Sequence, residues 1–503
     1  MIEGFPYRNQ GDAIASGRPD AEAICLFAPD GVERITFGEF VARADAVADR
    51  LLARGLAAGD RVAILGLNSI DWLLAFYGTL RAGLVAVPVS YKFPGEVLDH
   101  VLDNSGSAVV LVDRPDRLAA VSVEVDAVPL ADVAAPGDTD AQPRHERTGS
   151  NAAMILYTSG STGMPKGVVL SQDSHLWVLA QGLSNFGEHS DDVSSLVAAP
   201  LYQMNALANV QALMLAGSRT VLLPTFDAGL FLRAIAEERP TRLTGVPPMF
   251  ALLLKERALL ERLDLGSVRE IYMGSAPASD DLFAQLRQVF PGVRISFGYG
   301  TTESGPVAFA PHPDGIPTPT GSVGVANPAV DIRLVDHAGR ESGDQGVMEI
   351  RTGALFTEYF RRPDIPSPIT EDGFYHTRDE FRRDEQGFFY FTGRSDDMFS
   401  SGGENVYPRS IELALEEHPD VSEAAVVPLA DDVKGARPVA FVVPAPGATV
   451  DEQALREWSL TKVEPFAHPR RVFVVDALPL SQTNKVDRAL LTRRAVELAG
   501  GTA

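Results

Sequence analysis

Residues 156–171 read LYTSGSTGMPKGVVLS, and the rest of the chain is parsed from this stretch. An apolar run ending at Tyr157 has strand character, which resumes after the loop with VVLS. Between the two runs lie Thr158, Ser159, Gly160, Ser161, Thr162, Gly163, Met164, Pro165, Lys166 and Gly167. Glycines let backbone N–H groups converge on an anion without Cβ clashes, hydroxyls add donors, and a lysine adds a mobile positive charge. The composition is that of a phosphate-gripping loop. A plain polar hairpin turn is the alternative, but it has little need of four hydroxyls and three glycines. It is not a Walker A loop, because no Ser or Thr follows Lys166 and the spacing G-x-x-x-x-G-K is absent.

Upstream of the loop, apolar strands alternate with amphipathic helices. AICLFA, a turn at Pro29-Asp30-Gly31 and ERIT precede a helix from Phe37, with Thr36 and Glu39 spaced as a capping box. RVAILG (61–66), LVAVPV (84–89) and AVVLVD (108–113) read as strands, with helices over 69–83 and 93–106 between them. All-apolar strands in a β-α-β-α-β rhythm predict a parallel sheet covered on both faces. No G-x-G-x-x-G follows the first strand, so a dinucleotide site is not expected. Residues 114–150 are polar and rich in Ala, Pro and Asp, and read as a peripheral connection.

A second α/β run occupies 192–300, and the two blocks together predict one large, duplicated-looking domain. From about 318 the pattern changes to short alternating strands with glycine turns, as in a small antiparallel barrel or sheet. After Gly393 helices and strands mix again in a C-terminal α+β segment of about 110 residues. The expected fold class is α/β. The large N-terminal domain, 1–393, holds two stacked α/β sheet units and a β-barrel-like subdomain at about 318–393. A hinge at 394–396 and a small mobile α+β domain at 397–503 follow.

The 503 residues are 45% hydrophobic, enough for more than one core, and two to four domains is the prior. Net charge is −23 with no compensating Lys/Arg block, which argues against a general nucleic-acid binder but not against an anionic small ligand. Cys25 is the single cysteine, so an internal disulfide or thiolate metal site is excluded; a buried structural thiol and a cytoplasmic setting are expected. The N-terminus shows neither a basic nor an apolar signal region, and no uncharged apolar run approaches 18 residues, so no signal peptide or membrane span is expected.

Four further clusters carry chemistry. GSAPAS (274–279) ends a strand with small residues that suit a purine or, equally, a packed strand–helix turn. FGYGTTESG (297–305) sets Tyr299, Thr301, Thr302 and Glu303 at the carboxyl end of a strand, where open α/β sheets bind ligands. Thr302 is suited to a phosphate oxygen and Glu303 to Mg²⁺; a solvated loop carboxylate is the plainer reading. Asp379 in YHTRD and Arg394 in TGRSDD are candidates for a ribose diol or simple surface charges. Lys485, in the polar stretch before the last helix, reads in isolation as a surface lysine.

Taken in order, YTSGSTGMPKG, YGTTE, YHTRD, GRSDDMFSSGGENVYPRSIE and NKVDR resemble the adenylate-forming superfamily of acyl- and aryl-CoA synthetases, nonribosomal adenylation domains and luciferase-like enzymes. The resemblance covers nearly the whole chain and its pattern is nearest to standalone acyl- and aryl-CoA ligases. It implies that 158–167 grips the β- and γ-phosphates of ATP, that Gly274, Ser275, Ala276, Pro277 and Tyr299 flank adenine, that Gly300 and Thr301 also bind the nucleotide, and that Thr302 touches the α-phosphate. Glu303 would hold Mg²⁺, Asp379 the ribose hydroxyls with Arg394 beside them, and Lys485 the acyl carboxylate and α-phosphate. Asp396 is the implied hinge residue. Gly402 and Gly403 would pass a pantetheine arm, and Phe466 and Arg470 would meet the CoA nucleotide. The acyl pocket would be built from Trp177, Gln181, Gln203, Met204, Asn205, Met249, Phe250 and Gly298–Gly300.

The implied activity is ATP-dependent ligation of a carboxylic acid to CoA, with the acid aromatic, alicyclic or medium-chain. The alternative is transfer of the acyl group to a carrier-protein pantetheine or an amine, and the implied oligomeric state is monomer or homodimer. Two residues depart from the family pattern. Gln203 stands where many relatives have a histidine or aromatic, and it cannot act as a general base. Arg378 stands where a glycine usually precedes the ribose-binding aspartate, and is expected to point outward.

Overall fold

The computed structural model describes residues 5–14, 18–158, 164–183, 193–275, 278, 280–336, 338–401, 404–431, 433–480 and 486–500. Its contacts divide the chain into two compact units, Met1–Asp331 with Ile350–Tyr375, and Ile332–Glu349 with His376–Ala503.

The first unit opens with β1 (Glu22–Ala28), β2 (Gly31–Thr36), α1 (Phe37–Ala53), β3 (Arg61–Leu65), α2 (Ile70–Arg81), β4 (Val85–Val89), α3 (Gly95–Ser105) and β5 (Val109–Val112). The capping box is present as the sequence predicts: Glu39 N–H donates to Thr36 Oγ1, and Thr36 N–H donates to the Glu39 carboxylate. Ser69 caps α2 with a single bond, its Oγ accepting from Trp72 N–H, and Gly106 ends α3 at φ +54°, a conformation that costs a glycine little.

The stretch read as a bare connection adds β6 (Ala127–Pro129) and α4 (Leu130–Val133). β6 is a three-residue edge strand paired only with β5, too short to show a periodic pattern. Next come β7 (Ala152–Thr158), β8 (Lys166–Ser171), α5 (Gln172–Leu183), β9 (Ser194–Val197), α6 (Met204–Ala216), β10 (Arg219–Leu222) and α7 (Ala228–Glu238). β11 (Arg242–Gly245), α8 (Pro247–Leu253), α9 (Arg257–Leu260), β12 (Glu270–Gly274), α10 (Asp280–Val289) and β13 (Arg294–Gly298) follow, and β14 (Phe309–Ala310) pairs with β15 (Val325–Ala326).

Two large sheets result. The six-stranded sheet runs β6-β5-β3-β4-β7-β8, parallel except for the β7–β8 hairpin. The seven-stranded sheet runs β13-β12-β11-β9-β10-β1-β2, parallel except for β1–β2. The two sequence blocks therefore do not map one to one onto the sheets. The first hairpin crosses to the second sheet, where Ile24, Cys25 and Leu26 lie beside Thr220, Val221 and Leu222. That pairing spans almost 200 residues of chain and leaves no local trace.

Helices α1 and α2, and likewise α5 and α6, pack in pairs that draw one member from each sheet. Buried Asn68 ties the layers together: its Nδ2 donates to Ala199 O and Leu223 O, and its Oδ1 accepts from Leu201 N–H. Phe231, Phe250, Leu243 and Ile271 centre the core under the seven-stranded sheet, and Val87, Val110, Ile155 and Val101 that of the six-stranded one. Each such side chain, fully buried, contributes about 1.5–3 kcal/mol.

The second unit contains β16 (Asp331–Val335), β17 (Gln345–Arg351), β18 (Tyr375–Arg383) and β19 (Phe389–Arg394), which form a four-stranded sheet in that order. This is the sheet rather than the barrel alternative. It clusters with the C-terminal segment, so the 394–396 link lies inside this unit. β20 (Phe399–Ser401), β21 (Glu404–Val406), α11 (Pro408–Glu416), β22 (Val421–Asp431), β23 (Gly435–Pro444), α12 (Glu452–Leu460), β24 (Val472–Val474) and α13 (Arg488–Gly500) complete the chain. β24 is confined to the three residues that pair with β23. Val426 and Val442 on one face, and Phe441 and Leu491 on the other, bury both sides of the β22-β23-β24 sheet.

Candidate active site

The quoted stretch folds as the β7–β8 hairpin, with Thr158 opposite Lys166 where the loop leaves and re-enters the sheet. Ser159, Gly160, Ser161, Thr162 and Gly163 lie outside the described residues. Thr158 Oγ1 is buried and has no hydrogen-bond partner among the described residues. Such an orphan is costly unless a ligand or water satisfies it.

Lys166 Nζ lies 3.2 Å from Glu303 Oε1 and 3.8 Å from the centroid of the Tyr359 ring. Tyr359 Oη donates to the same Oε1 at 3.0 Å. Glu303 is 7% exposed, so its carboxylate depends on these partners to offset lost hydration. The family resemblance assigns Lys166 and Glu303 to different parts of one nucleotide; in the structure they are paired with each other. Tyr359 was missed. It sits in the segment EYFRRPD, whose only distinguishing signal is an aromatic pair amid charges.

The glycines of GYGTTESG have packing reasons of their own. A Cβ on Gly298 would lie 2.1 Å from Tyr272 Oη, one on Gly274 2.4 Å from Gly298 O, and one on Gly300 2.5 Å from Pro306 Cα. Thr301 accepts from Ser304 N–H at 3.1 Å and Gly305 N–H donates to Thr301 O at 2.9 Å, closing the turn that presents Thr302 and Glu303. Tyr299 packs edge-on to Phe309. Ser275 is exposed at φ +65°, and Asn205 Nδ2 donates to its hydroxyl at 3.3 Å. Ala276 and Pro277 lie outside the described residues.

Among the pocket candidates, Trp177 is half-buried against Gly353, where a Cβ would fall 2.6 Å from its Cδ1. Gln181 Oε1 accepts from Asn327 Nδ2 at 3.5 Å. Gln203 is the N-cap residue of α6 but makes no side-chain capping bond, and Met204 begins that helix. Met249 is 5% exposed. Phe250 is fully buried, edge-on to Phe231 in the core under the seven-stranded sheet.

In the second unit, Asp379 on β18 and Arg394 on β19 face each other in register. Arg394 Nη1 lies 2.8 Å from Asp379 Oδ1, while its Nε and Nη2 fork onto Asp396 at 2.7 and 2.8 Å. Burial opposes the charge on Arg394, but Asp396 and Asp379 outweigh it and raise its pKa. Burial likewise opposes the Asp396 carboxylate, and Arg394 overrides it to hold the pKa low. The plain surface-charge reading of Asp379 and Arg394 therefore fails: Asp379 is 4% exposed and held in a three-residue ionic clamp. Arg378 is exposed at φ +64°, a left-handed conformation that favours glycine. Phe466 packs partly buried against the C-terminal core, and Arg470 folds back on its own loop, to His468 Nε2 and Pro465 O. Gly402, Gly403 and Lys485 lie outside the described residues.

Cys25 is fully buried, and burial pushes its thiol up to about 12. Glu22 and Glu238 approach it, but Arg34 and Arg219 neutralise both carboxylates, so the group is structural rather than a metal centre.

A two-sheet α/β body carrying a hydroxyl- and glycine-rich hairpin, a Lys–Glu pair at its mouth and a following small α+β sheet defines a nucleotide-using ligase class. The chain belongs to the AMP-binding enzyme family, whose model matches residues 12–360, and the model of the AMP-binding enzyme C-terminal domain matches 410–485. It is 32% identical over 472 residues to a feruloyl-CoA synthase of Amycolatopsis sp, covering 92% of this chain and 94% of that one. It is 31% identical to the fatty acid–[acyl-carrier-protein] ligase ScoC of Streptomyces coeruleorubidus, covering 92% and 91%. The crystal structure of ATP-bound MatB from Rhodopseudomonas palustris superposes with a TM-score of 0.85 at 30% identity, over 97% of this chain and 99% of that one. The fold class expected from the sequence, a large N-terminal and small C-terminal domain of mixed α/β type, is that of these structures.

Proposed function

We propose that this chain is an ATP-dependent carboxylic acid–CoA ligase acting on an aromatic, alicyclic or medium-chain acid. The observation that carries the reading is the convergence of Lys166 and Glu303 at the mouth of the β7–β8 loop, where the buried Thr158 hydroxyl has no hydrogen-bond partner among the described residues. The acid's carboxylate attacks the α-phosphorus of ATP, pyrophosphate leaves, and an acyl-adenylate forms. The thiolate of CoA then attacks the acyl carbon and AMP leaves.

A buried carboxylate that pairs, among the described residues, with a lysine and a hydroxyl fits Mg²⁺, which takes one or two carboxylates plus phosphate oxygens. Glu303 would hold that ion, which supplies charge neutralisation on the phosphates. Lys166 exchanges Glu303 for the β- and γ-phosphates as the nucleotide enters. Thr158 and Thr302 donate to phosphate oxygens, and Asp379, held beside Arg394, accepts from the ribose hydroxyls. Lys485 bridges the acid carboxylate and α-phosphate, where a positive charge offsets their mutual repulsion. Motion of 397–503 about Asp396 brings Gly402 and Gly403 to the adenylate for the thiol step. The chain acts in the cytoplasm as a monomer or homodimer; no helix among the described residues is long and apolar enough to cross a membrane.

A second reading, transfer to a carrier-protein pantetheine, is favoured by the likeness to an acyl-carrier-protein ligase and by Gln203, which lacks a base's chemistry. The test is Mg²⁺-dependent AMP release over a panel of aromatic, alicyclic and C4–C12 acids, with and without CoA, with mass detection. Acyl-CoA formation supports the first reading. Adenylate formation without CoA turnover selects the second, and no pyrophosphate with any acid refutes both.

A further inference from the structure

The segment 356–360 was assigned no role above, yet it behaves as an extra strand on the outer edge of β8. Thr357 N–H donates to Val169 O, Val169 N–H donates to Glu358 O, and Phe360 N–H donates to Gly167 O, at 2.8–3.0 Å. Tyr359 thereby lies opposite Val168, two residues along the strand that begins with Lys166. At the start of the same segment, Phe356 N–H donates to Glu303 O at 2.8 Å. One short strap is thus anchored by backbone bonds both to the strand of Lys166 and to the turn of Glu303. Packing holds it as well: the Phe356 ring lies 4.8 Å from that of Tyr359, tilted at 45°, and Phe360 packs on the core of the six-stranded sheet.

The side chain of Tyr359, 9% exposed, addresses both charged groups with different atoms. Its hydroxyl donates to Glu303 Oε1, and its ring face lies under Lys166 Nζ. The hydrogen bond to the Glu303 carboxylate from the described residues falls on Oε1 and leaves Oε2 without one. A neutral donor on Oε1 fixes the carboxylate rotamer and leaves Oε2 as the oxygen available to a cation. The ring face gives the ammonium a second attractive surface when it leaves the carboxylate for a phosphate.

We propose that Tyr359 is a positioning residue for adenylation: it orients Glu303 toward the metal of Mg²⁺·ATP and holds Lys166 in place while that lysine changes partners. This rests on the ligase reading of the site. A carboxylate that must otherwise be reoriented at each binding event would bind the metal complex more weakly, because the ordering cost falls on that step.

The experiment is calorimetric titration of the full chain with ATP, once with excess Mg²⁺ and once with EDTA. Wild type, Tyr359→Phe, Glu303→Gln and the double variant are compared, with melting temperatures alongside. Tyr359→Phe keeps the ring and removes one hydroxyl. It is expected to weaken Mg²⁺-supported binding roughly tenfold, the scale of a hydrogen bond to a charged group, and to leave metal-free binding within about twofold. In the Glu303→Gln background the same change should have no further effect on Mg²⁺-supported binding, since its target is gone. Tyr359→Leu, which also removes the ring, should weaken metal-free binding too. Equal loss with and without Mg²⁺, no loss at all, or full additivity with Glu303→Gln overturns the proposal, and a lowered melting temperature accompanied by any of these marks a merely structural tyrosine. A wild-type protein that does not bind Mg²⁺·ATP overturns the ligase reading instead.

Discussion

Acidification should destabilise this protein through one histidine in particular. His175 lies on α5, the helix that leaves the phosphate hairpin and carries Trp177 and Gln181. It is 1% exposed, its Nε2 is 2.7 Å from Gln211 Oε1 on α6, and its Nδ1 has no partner among the described residues. Burial pushes its pKa down from 6.5 to about 4, and the bond to Gln211 recovers only part of that. The unfolded chain therefore takes up a proton near pH 6.5 that the folded chain refuses until about pH 4. Stability from this group is whole above pH 6.5 and is lost progressively as pH falls toward 4. The full loss is about 3 kcal/mol, with about 2 kcal/mol gone by pH 5. Carboxylates titrate in the same range, so the comparison is between wild type and His175→Gln, which cannot be protonated. Denaturant unfolding followed by circular dichroism from pH 7.5 to 5 should show the wild type losing about 2 kcal/mol more than the variant. Parallel pH profiles for the two proteins would falsify the assignment.

Arg378→Gly should raise stability slightly. A non-glycine residue at φ +64° costs about 1–2 kcal/mol, against about 0.5–1 kcal/mol for ordering a glycine, so a small rise in melting temperature is expected. ATP affinity should stay within a few-fold; a tenfold tightening would mean that Arg378 competes for Asp379. Arg488 Nη1 lies 2.6 Å from Glu412, which is 2% exposed; burial raises its carboxyl pKa, but Arg488 first, then Arg409 and the Val426 N–H, outweigh this and hold it low. Arg488→Met should cost about 3–5 kcal/mol in unfolding measurements, and adding Glu412→Leu should recover much of it; no recovery would refute the buried-charge explanation. Lys485→Ala should slow adenylation by about 10²–10³ while sparing thioester formation from supplied acyl-adenylate. Equal loss in both half-reactions, measured by pyrophosphate release and acyl-CoA yield, would contradict its assigned role.

Much of this protein is legible without coordinates. The Thr36–Glu39 box, the Ser69 cap and the apolar runs of β3, β4 and β5 are set by neighbours in sequence, so they can be read there. The order of motifs likewise names the phosphate hairpin and Glu303 before any contact is known. What the chain does not display is which distant segments share an edge. The crossing of β1 and β2 to the second sheet, the facing of Asp379 and Arg394 across a hairpin, and the strap that brings Tyr359 under Lys166 all depend on pairing. Backbone hydrogen bonds carry no residue code, and a pairing partner is selected only once the whole core has closed. The sequence by itself determined the elements and the chemistry of the groups; the tertiary structure decided which of those groups meet, because their approach is set by sheet register and burial rather than by spacing along the chain.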